Sequence, residues 1–325
     1  MNRLTTNAPT QESPRFVGPA TFFRTPGIYE SKNWGDLDIG LVGIPYDGGT
    51  TNRPGARLGP RGIREQSTMI APSNPSLDFL NPFNLCKIAD IGDAWVREPF
   101  NLESSLAEIH DFFAIMHSAG VVPVSAGGDH SVSLPILRAI GSKRPVGMVH
   151  IDAHCDTGDG FMGSRYHHGA PFSRAVEEGV LDPKRTVQIG IRGPLNSDVW
   201  RFSRTSGMRV VSMDEWCERG LVDVMNEARE IIGDVPCYVS FDIDALDPAF
   251  APGTGTPVVG GFTTREAIQM IRRLRGLNLI GADIVELSPP FDIGGTTSLA
   301  AATLMFEMLC VVSESCSSNK SSLES

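Results

Sequence analysis

The 325-residue chain predicts an α/β fold, with a mostly parallel central sheet covered by helices on both faces. Short, continuous apolar runs recur along it, as strands buried on both faces require. Between them lie longer stretches with apolar residues at helical spacing. No linker or internal repeat divides the pattern, and the length suits one large unit.

Residues 1–35 read as an irregular arm ending in the polar run Ser31-Lys32-Asn33-Trp34-Gly35. Asp38–Ile44 follows as an apolar run closed by Pro45. Further strand-like runs fall at Val121–Ala126, Val146–Ile151, Val187–Ile191, Arg209–Ser212, Cys237–Ile243 and Leu279–Ile284. A helix is expected over Asn101–His117, where Leu106, Ile109, Phe113 and Met116 fall on one face. Others are expected over Ser131–Ile140, Ala170–Gly179, Val222–Ile232, Thr263–Arg275 and Thr297–Val312. Residues 36–313 form a single domain, and the Ser-rich residues 314–325 read as a disordered tail.

Lys and Arg number 28 against 38 Asp and Glu, a formal charge of −10. That surface argues against nucleic acid or an anionic membrane as partner. No segment reaches the roughly 18 uninterrupted apolar residues of a membrane span, and the polar start lacks a secretion signal. A cytoplasmic location is expected. The six cysteines contain no CxxC pair and read as free thiols in a reducing compartment.

In open α/β sheets chemistry sits at the carboxyl ends of the strands. There this sequence places Gly127-Gly128-Asp129-His130, Asp152-Ala153-His154-Cys155-Asp156 and Asp242-Ile243-Asp244. In an extended chain residues i, i+2 and i+4 point the same way. Asp152, His154 and Asp156 are therefore expected to converge, as are Asp242 and Asp244, with His130 beside them. Four bunched carboxylates repel unless protonated or neutralised. Two divalent ions bring +4 against −4, and two ions roughly 3.5–4 Å apart are the usual device for activating a water. His150, inside a strand, reads as a hydrogen-bonded core histidine, and His110 and His117 receive no role.

These segments resemble the ureohydrolases, the family of arginase, agmatinase and guanidinobutyrase. The likeness lies in GGDHS at Gly127–Ser131, HIDAHCD at His150–Asp156, SFDIDALDPAFAPGTGTP at Ser240–Pro257 and GADIVELSPPFD at Gly281–Asp292. PRFVGPATFFR (Pro14–Arg24) and GIPYDGGTTNRPGARLGP (Gly43–Pro60) resemble the agmatinase and guanidinobutyrase branch. The resemblance implies a three-layer α/β/α sandwich with about eight strands, and a trimer or hexamer, with a hetero-oligomer with a paralogue as the variant. It implies two metal ions, manganese first and nickel as the alternative. One would sit on His130, Asp152, Asp156 and Asp242, the other on Asp152, His154, Asp242 and Asp244.

By the same resemblance Glu286 pairs with the substrate guanidinium. His168, in Arg165-Tyr166-His167-His168-Gly169, passes protons to the leaving amine, and His167 is a weaker candidate. Asp156 orients the attacking water. Gly158 stands where arginases carry an asparagine that holds the amino-acid carboxylate, which argues against arginine as substrate. The loop of residues 157–167 is expected to roof the substrate tail, with Met162, Arg165 and Tyr166 in contact and Arg165 meeting a carboxylate.

The expected reaction is hydrolysis of a guanidino compound to urea and an amine, with 4-guanidinobutyrate first. The alternatives are 3-guanidinopropionate, agmatine, guanidine, an alkylguanidine or a biguanide. A metal-dependent deacetylase has fewer ligands, and a non-catalytic partner subunit would have lost some; this chain carries all six.

Overall fold

The computed structural model describes residues 14–194 and 197–324. Residues 1–13 of the expected arm lie outside them. Eight strands form one all-parallel sheet: β1 (Ile39–Gly43), β2 (Ile88–Asp93), β3 (Val122–Ala126), β4 (Val146–Ile151), β5 (Leu181–Ile191), β6 (Arg209–Ser212), β7 (Cys237–Asp242) and β8 (Leu279–Val285). Their order is β2-β1-β3-β8-β7-β4-β5-β6. Seven fall on the apolar runs of the sequence, although β5 begins at Leu181, ahead of the run expected from Val187. The eighth, β2, has its apolar run interrupted by Asp90, Gly92 and Asp93 and lies at the sheet edge, where one flank needs no apolar cover.

Nine α-helices connect the strands among the described residues: α1 (Gly59–Ser67), α2 (Pro82–Leu85), α3 (Leu102–Ser118), α4 (Ser133–Ile140), α5 (Pro171–Glu177), α6 (Ser197–Ser206), α7 (Met213–Ile232), α8 (Thr264–Arg272) and α9 (Thr296–Glu324). Local chemistry sets their ends. Asn101 caps α3 by accepting from the Ser104 N–H at 3.1 Å, and Thr263 with Glu266 forms a capping box on α8. Gly220, at φ 80, breaks α7; for this reason the helical pattern in the sequence begins only at Val222.

The side-chain alternation of the strands divides the core in two. Val149 and Ile151 of β4, with Cys237, Val239 and Phe241 of β7, pack with α1, α7, α8 and α9. Val146 and Met148, with Tyr238, pack on the opposite face with α3, α4 and α5. This is the expected three-layer sandwich. Truncating one of the fully buried aromatics, such as Phe241 or Phe262, costs about 3–5 kcal/mol.

One terminal expectation changes. The arm is irregular and anchored: Phe22 and Phe23 are buried, and the Phe22 N–H donates to Asp90 at 3.0 Å. Residues 314–324 are helical, not a disordered tail, because α9 runs on through Glu324. Arg275 pairs with Glu314, and the Ser315 hydroxyl accepts from the Leu279 N–H at 2.9 Å, tying that last stretch to β8. α9 is long and apolar enough to cross a bilayer, but 67% of its most apolar window is buried inside the molecule, as in a core helix.

Candidate active site

The carboxyl ends of the four central strands β3, β8, β7 and β4 supply the site. After β3 the chain runs so close to residues 44–46 that a side chain on Gly128 would overlap the Tyr46 carbonyl. The Asp129 N–H donates to that carbonyl at 2.9 Å. The Asp129 carboxylate then caps the turn that carries His130, accepting from the Ser131 N–H at 2.9 Å.

His130 Nδ1 lies 2.9 Å from Asp156 Oδ2, 3.2 Å from Asp152 Oδ2 and 3.3 Å from Asp242 Oδ2. His154 Nδ1 lies 3.1 Å from Asp244 Oδ2 and 3.4 Å from Asp152 Oδ1. All six expected metal ligands thus come together. Their donor atoms form two groups sharing Asp152: His130, Asp152, Asp156 and Asp242, and Asp152, His154 and Asp244. Asp242 falls in the first group only.

The reason for convergence differs from the strand alternation expected. β4 ends at Ile151, and Asp152 to Asp156 follow a bend whose last residue takes φ 52. Backbone N–H groups hold it: His154 donates to Asp152 Oδ1 at 2.6 Å and Ala153 to Asp244 Oδ1 at 3.3 Å. Asp242 closes β7 and accepts from the Asp244 N–H at 2.8 Å.

The electrostatics call for cations. Burial, then Asp244 and Asp152, push the Asp242 carboxyl well above its usual range, and burial foremost raises Asp244. Burial opposes ionisation of Asp152 too, but His150, His130 and His154 outweigh it and hold that group well below the usual range. His130 Nε2 is 2.8 Å from the Ser240 hydroxyl. Ser240 donates to Asp283 Oδ1 at 2.7 Å, and Asp283 Oδ2 accepts from Ser133 at 2.6 Å and Tyr238 at 2.9 Å. With the Ser240 proton committed to Asp283, His130 donates from Nε2 to Ser240 and turns Nδ1 among the carboxylates, buried and without a hydrogen-bond partner. Burial opposes charging of the ring, but Asp152, Asp156 and Asp242 outweigh it and raise His130 well above its ordinary value. A buried imidazole nitrogen orphaned among carboxylate oxygens is a position that a divalent cation fits. His150 is the core histidine expected, bonded to Asp152 at 2.7 Å and Gln188 at 3.0 Å.

Glu286 follows β8 at φ 63. Its Oε1 accepts from the His130 N–H and faces His168 Nδ1, both at 2.8 Å, while its Oε2 is buried and unpartnered. Burial disfavours a charged His168 ring, but Glu286 foremost, with Asp129 and Asp156, outweighs burial and raises it to about 9.

A cavity of about 840 Å³ opens over His154, Asp156, Asp242 and His168, walled by Thr51, Phe161, His167, Val199 and Phe202 among others, with no Lys or Arg among the described residues that line it. Three of the expected tail contacts are elsewhere. Arg165 is bound to Glu177 at 2.8 Å on the surface. Met162, at φ 48 in the tight turn of residues 161–164, is 92% exposed. Tyr166 sits half-buried beside α4, under Arg138. Neighbouring acids capture the arginine, and the turn throws the methionine outward. Gly158 does line the cavity, and Cys155 is a buried thiol, raised to about 12 foremost by burial.

Several site residues were not singled out in the sequence: Thr51, Asp129, Ser240, Asp283, Gln188 and Arg192. Arg192 is a buried cation beneath the acidic cluster, donating to the carbonyls of Asp244 and Val258 at 2.7 and 2.8 Å. For Asp129, Asp283, Gln188 and Arg192 the available signal was an ionisable or amide side chain within or just after an apolar strand; Thr51 and Ser240 carried none.

The arginase family model matches residues 37–310. Guanidinopropionase of Pseudomonas aeruginosa is 53% identical over 306 residues, 94% of this chain and 95% of that protein. Guanidinobutyrase of the same organism is 46% identical, over 93% and 94% of the two chains. The solved structure of proclavaminate amidinohydrolase from Streptomyces clavuligerus superposes with a TM-score of 0.88 at 39% identity, over 93% of this chain and all of that one. A parallel eight-stranded sheet, a His/Asp centre suited to two divalent ions at its carboxyl edge and these likenesses converge: the chain belongs to the arginase family, as an amidinohydrolase cleaving C–N bonds of guanidino compounds.

Proposed function

We propose that the chain hydrolyses a short guanidino acid, 4-guanidinobutyrate first and 3-guanidinopropionate next, to urea and the amino acid. The observation that carries the reading is Glu286, whose Oε1 is pinned by two partners while its buried Oε2 has none. A planar cation entering the cavity supplies the missing donors. The names of the two Pseudomonas relatives support the acidic tail.

In this reading His130, Asp152, Asp156 and Asp242 would hold one manganese ion, and Asp152, His154 and Asp244 would hold the other. When bound, the ions activate a water and offset the charge of the carboxylates. Asp156 orients the attacking water, Glu286 holds the guanidinium carbon in place, and His168, held by Glu286, donates a proton at Nε2 to the departing amine. The enzyme works as a cytoplasmic homo-oligomer, a trimer or hexamer.

A second reading rests on the lining of the cavity. With no Lys or Arg among the described residues of the wall and Phe161, Val199 and Phe202 present, a small uncharged tail fits as well: guanidine, an alkylguanidine or a biguanide. Urea release by the purified, manganese-loaded chain separates the two. The panel is guanidinobutyrate, guanidinopropionate, agmatine, arginine, guanidine and methylguanidine. Highest kcat/KM on the acids supports the first reading, and highest on guanidine or methylguanidine replaces it with the second.

A further inference from the structure

His168, 8% exposed, meets solvent only through the cavity that it and Thr51 line, and in the proposed reaction it must recover a proton on every turnover. Its two ring nitrogens face different surroundings. Nδ1 points inward to Glu286. Nε2 lies 2.7 Å from the Thr51 hydroxyl and 3.3 Å from the Thr51 backbone N–H. Thr51 is exposed and lines the cavity, so its hydroxyl touches the buried ring on one side and solvent on the other.

This contact is fixed by the surrounding loop. Asp129 accepts from the Gly49 N–H at 2.7 Å, and the His168 N–H donates to the Gly49 carbonyl at 2.9 Å. Asn52 donates to the Gly255 carbonyl at 2.9 Å, and the Gly55 N–H donates to Asp47 at 2.8 Å. Thr51 is thus clamped between anchored neighbours, with its hydroxyl delivered to Nε2.

We infer that the Thr51 hydroxyl relays protons from solvent to His168, an inference that rests on the proton-donor role proposed for that histidine. Once the Nε2–H has gone to the amine nitrogen, the neutral ring offers a lone pair at Nε2. Thr51 passes its hydroxyl hydrogen to that lone pair while Oγ1 takes a hydrogen from a protonated solvent water. One proton crosses from solvent to the ring, the threonine is regenerated and no electrons change hands. The substrate amine and Thr51 use the same nitrogen in turn. Thr51 is a positioning and relay residue and does not itself touch the reacting carbon.

The test uses full-length, manganese-loaded protein and urea release from 4-guanidinobutyrate, 3-guanidinopropionate and guanidine. Thr51→Val keeps the shape and removes the proton; Thr51→Ser keeps the proton. The valine variant is expected to lose about 10- to 100-fold in kcat, within the span of general acid–base effects, with KM within about twofold. Its metal content should equal that of the wild type. Serine is expected to restore the rate, and added imidazolium to raise the valine variant's rate in proportion to its concentration. Thr51→Ala repeats the measurement if valine disturbs the cavity. An unchanged kcat in the valine and alanine variants overturns the relay. So does a loss that imidazolium does not recover, since Thr51 would then only orient the ring. Failure of the wild type to release urea from any of the compounds overturns the proposed reaction itself, a result read without the variants.

Discussion

Replacing Glu286 with glutamine changes little in volume and removes the charge that governs His168. In the metal-free protein that imidazole titrates at about 9, against an ordinary value near 6.5. The interval corresponds to roughly 3 kcal/mol between its two protonation states. Burial acts in the opposite direction and only Asp129 and Asp156 still oppose it, so without the Glu286 charge the ring should fall toward its ordinary value. The same interval sets a stability slope. A raised folded-state value contributes stability that is fully present below the unfolded value of about 6.5 and is lost as pH rises through about 9. Wild-type protein stripped of metal should therefore lose on the order of 3 kcal/mol more than Glu286→Gln between pH 6 and pH 10. NMR titration of the histidine rings reads the first quantity and urea denaturation at the two pH values the second. With metal restored, kcat/KM should fall by about 100-fold or more, the guanidinium having lost a charge-assisted partner. A His168 that still titrates near 9 in the glutamine variant would refute the ion-pair account.

Three other outcomes follow from the geometry. Chelation should leave a folded protein with the Asp242 and Asp244 carboxyls raised, and manganese at a thousandfold excess over Kd should return about 4 kcal/mol per site; calorimetry and a metal count of two per chain check this. Ser240→Ala or Asp283→Asn frees the His130 ring from its tautomer, so manganese affinity should fall about 10- to 100-fold, and unchanged affinity in a chelator competition would dismiss the Asp283–Ser240–His130 chain as a determinant. Arg165→Ala removes only an exposed ion pair with Glu177, worth under about 1 kcal/mol, so KM for 4-guanidinobutyrate should stay within about twofold; a tenfold rise would return Arg165 to the tail-binding role.

The sequence made the sheet legible because strands buried on both faces carry near-continuous apolar runs, as in Val146–Ile151 and Leu279–Ile284. Edge strand β2 escaped because Asp90 serves other purposes inside it: its carboxylate binds the Phe22 N–H and the Arg64 guanidinium. The site's acids and histidines announced themselves by density at strand ends, though the bend after Ile151, not strand alternation, brings Asp152, His154 and Asp156 together. Asp283 and Ser240 were invisible for a physical reason. Each is a small polar residue in an apolar strand, and only the register of β7 against β8, with Ser240 opposite Asp283, shows that they meet. The loop carrying Arg165 misled because an arginine near a cavity looks like a ligand clamp until Glu177 is placed beside it.

The sheet order has a consequence for how the enzyme comes to exist. β2, β1 and β3 form one half-sheet and β7, β4, β5 and β6 another, and β8 is the strand laid between them. His130 belongs to the first half; Asp152, His154, Asp156, Asp242 and Asp244 belong to the second. During vectorial synthesis both halves emerge before the keystone that joins them. The seam closes only when residues 279–285 are out and inserted, a long-range and hence slow event. Metal capture at the full ligand set would then report completion of the sheet, and bound ions would rivet the two halves together across that seam.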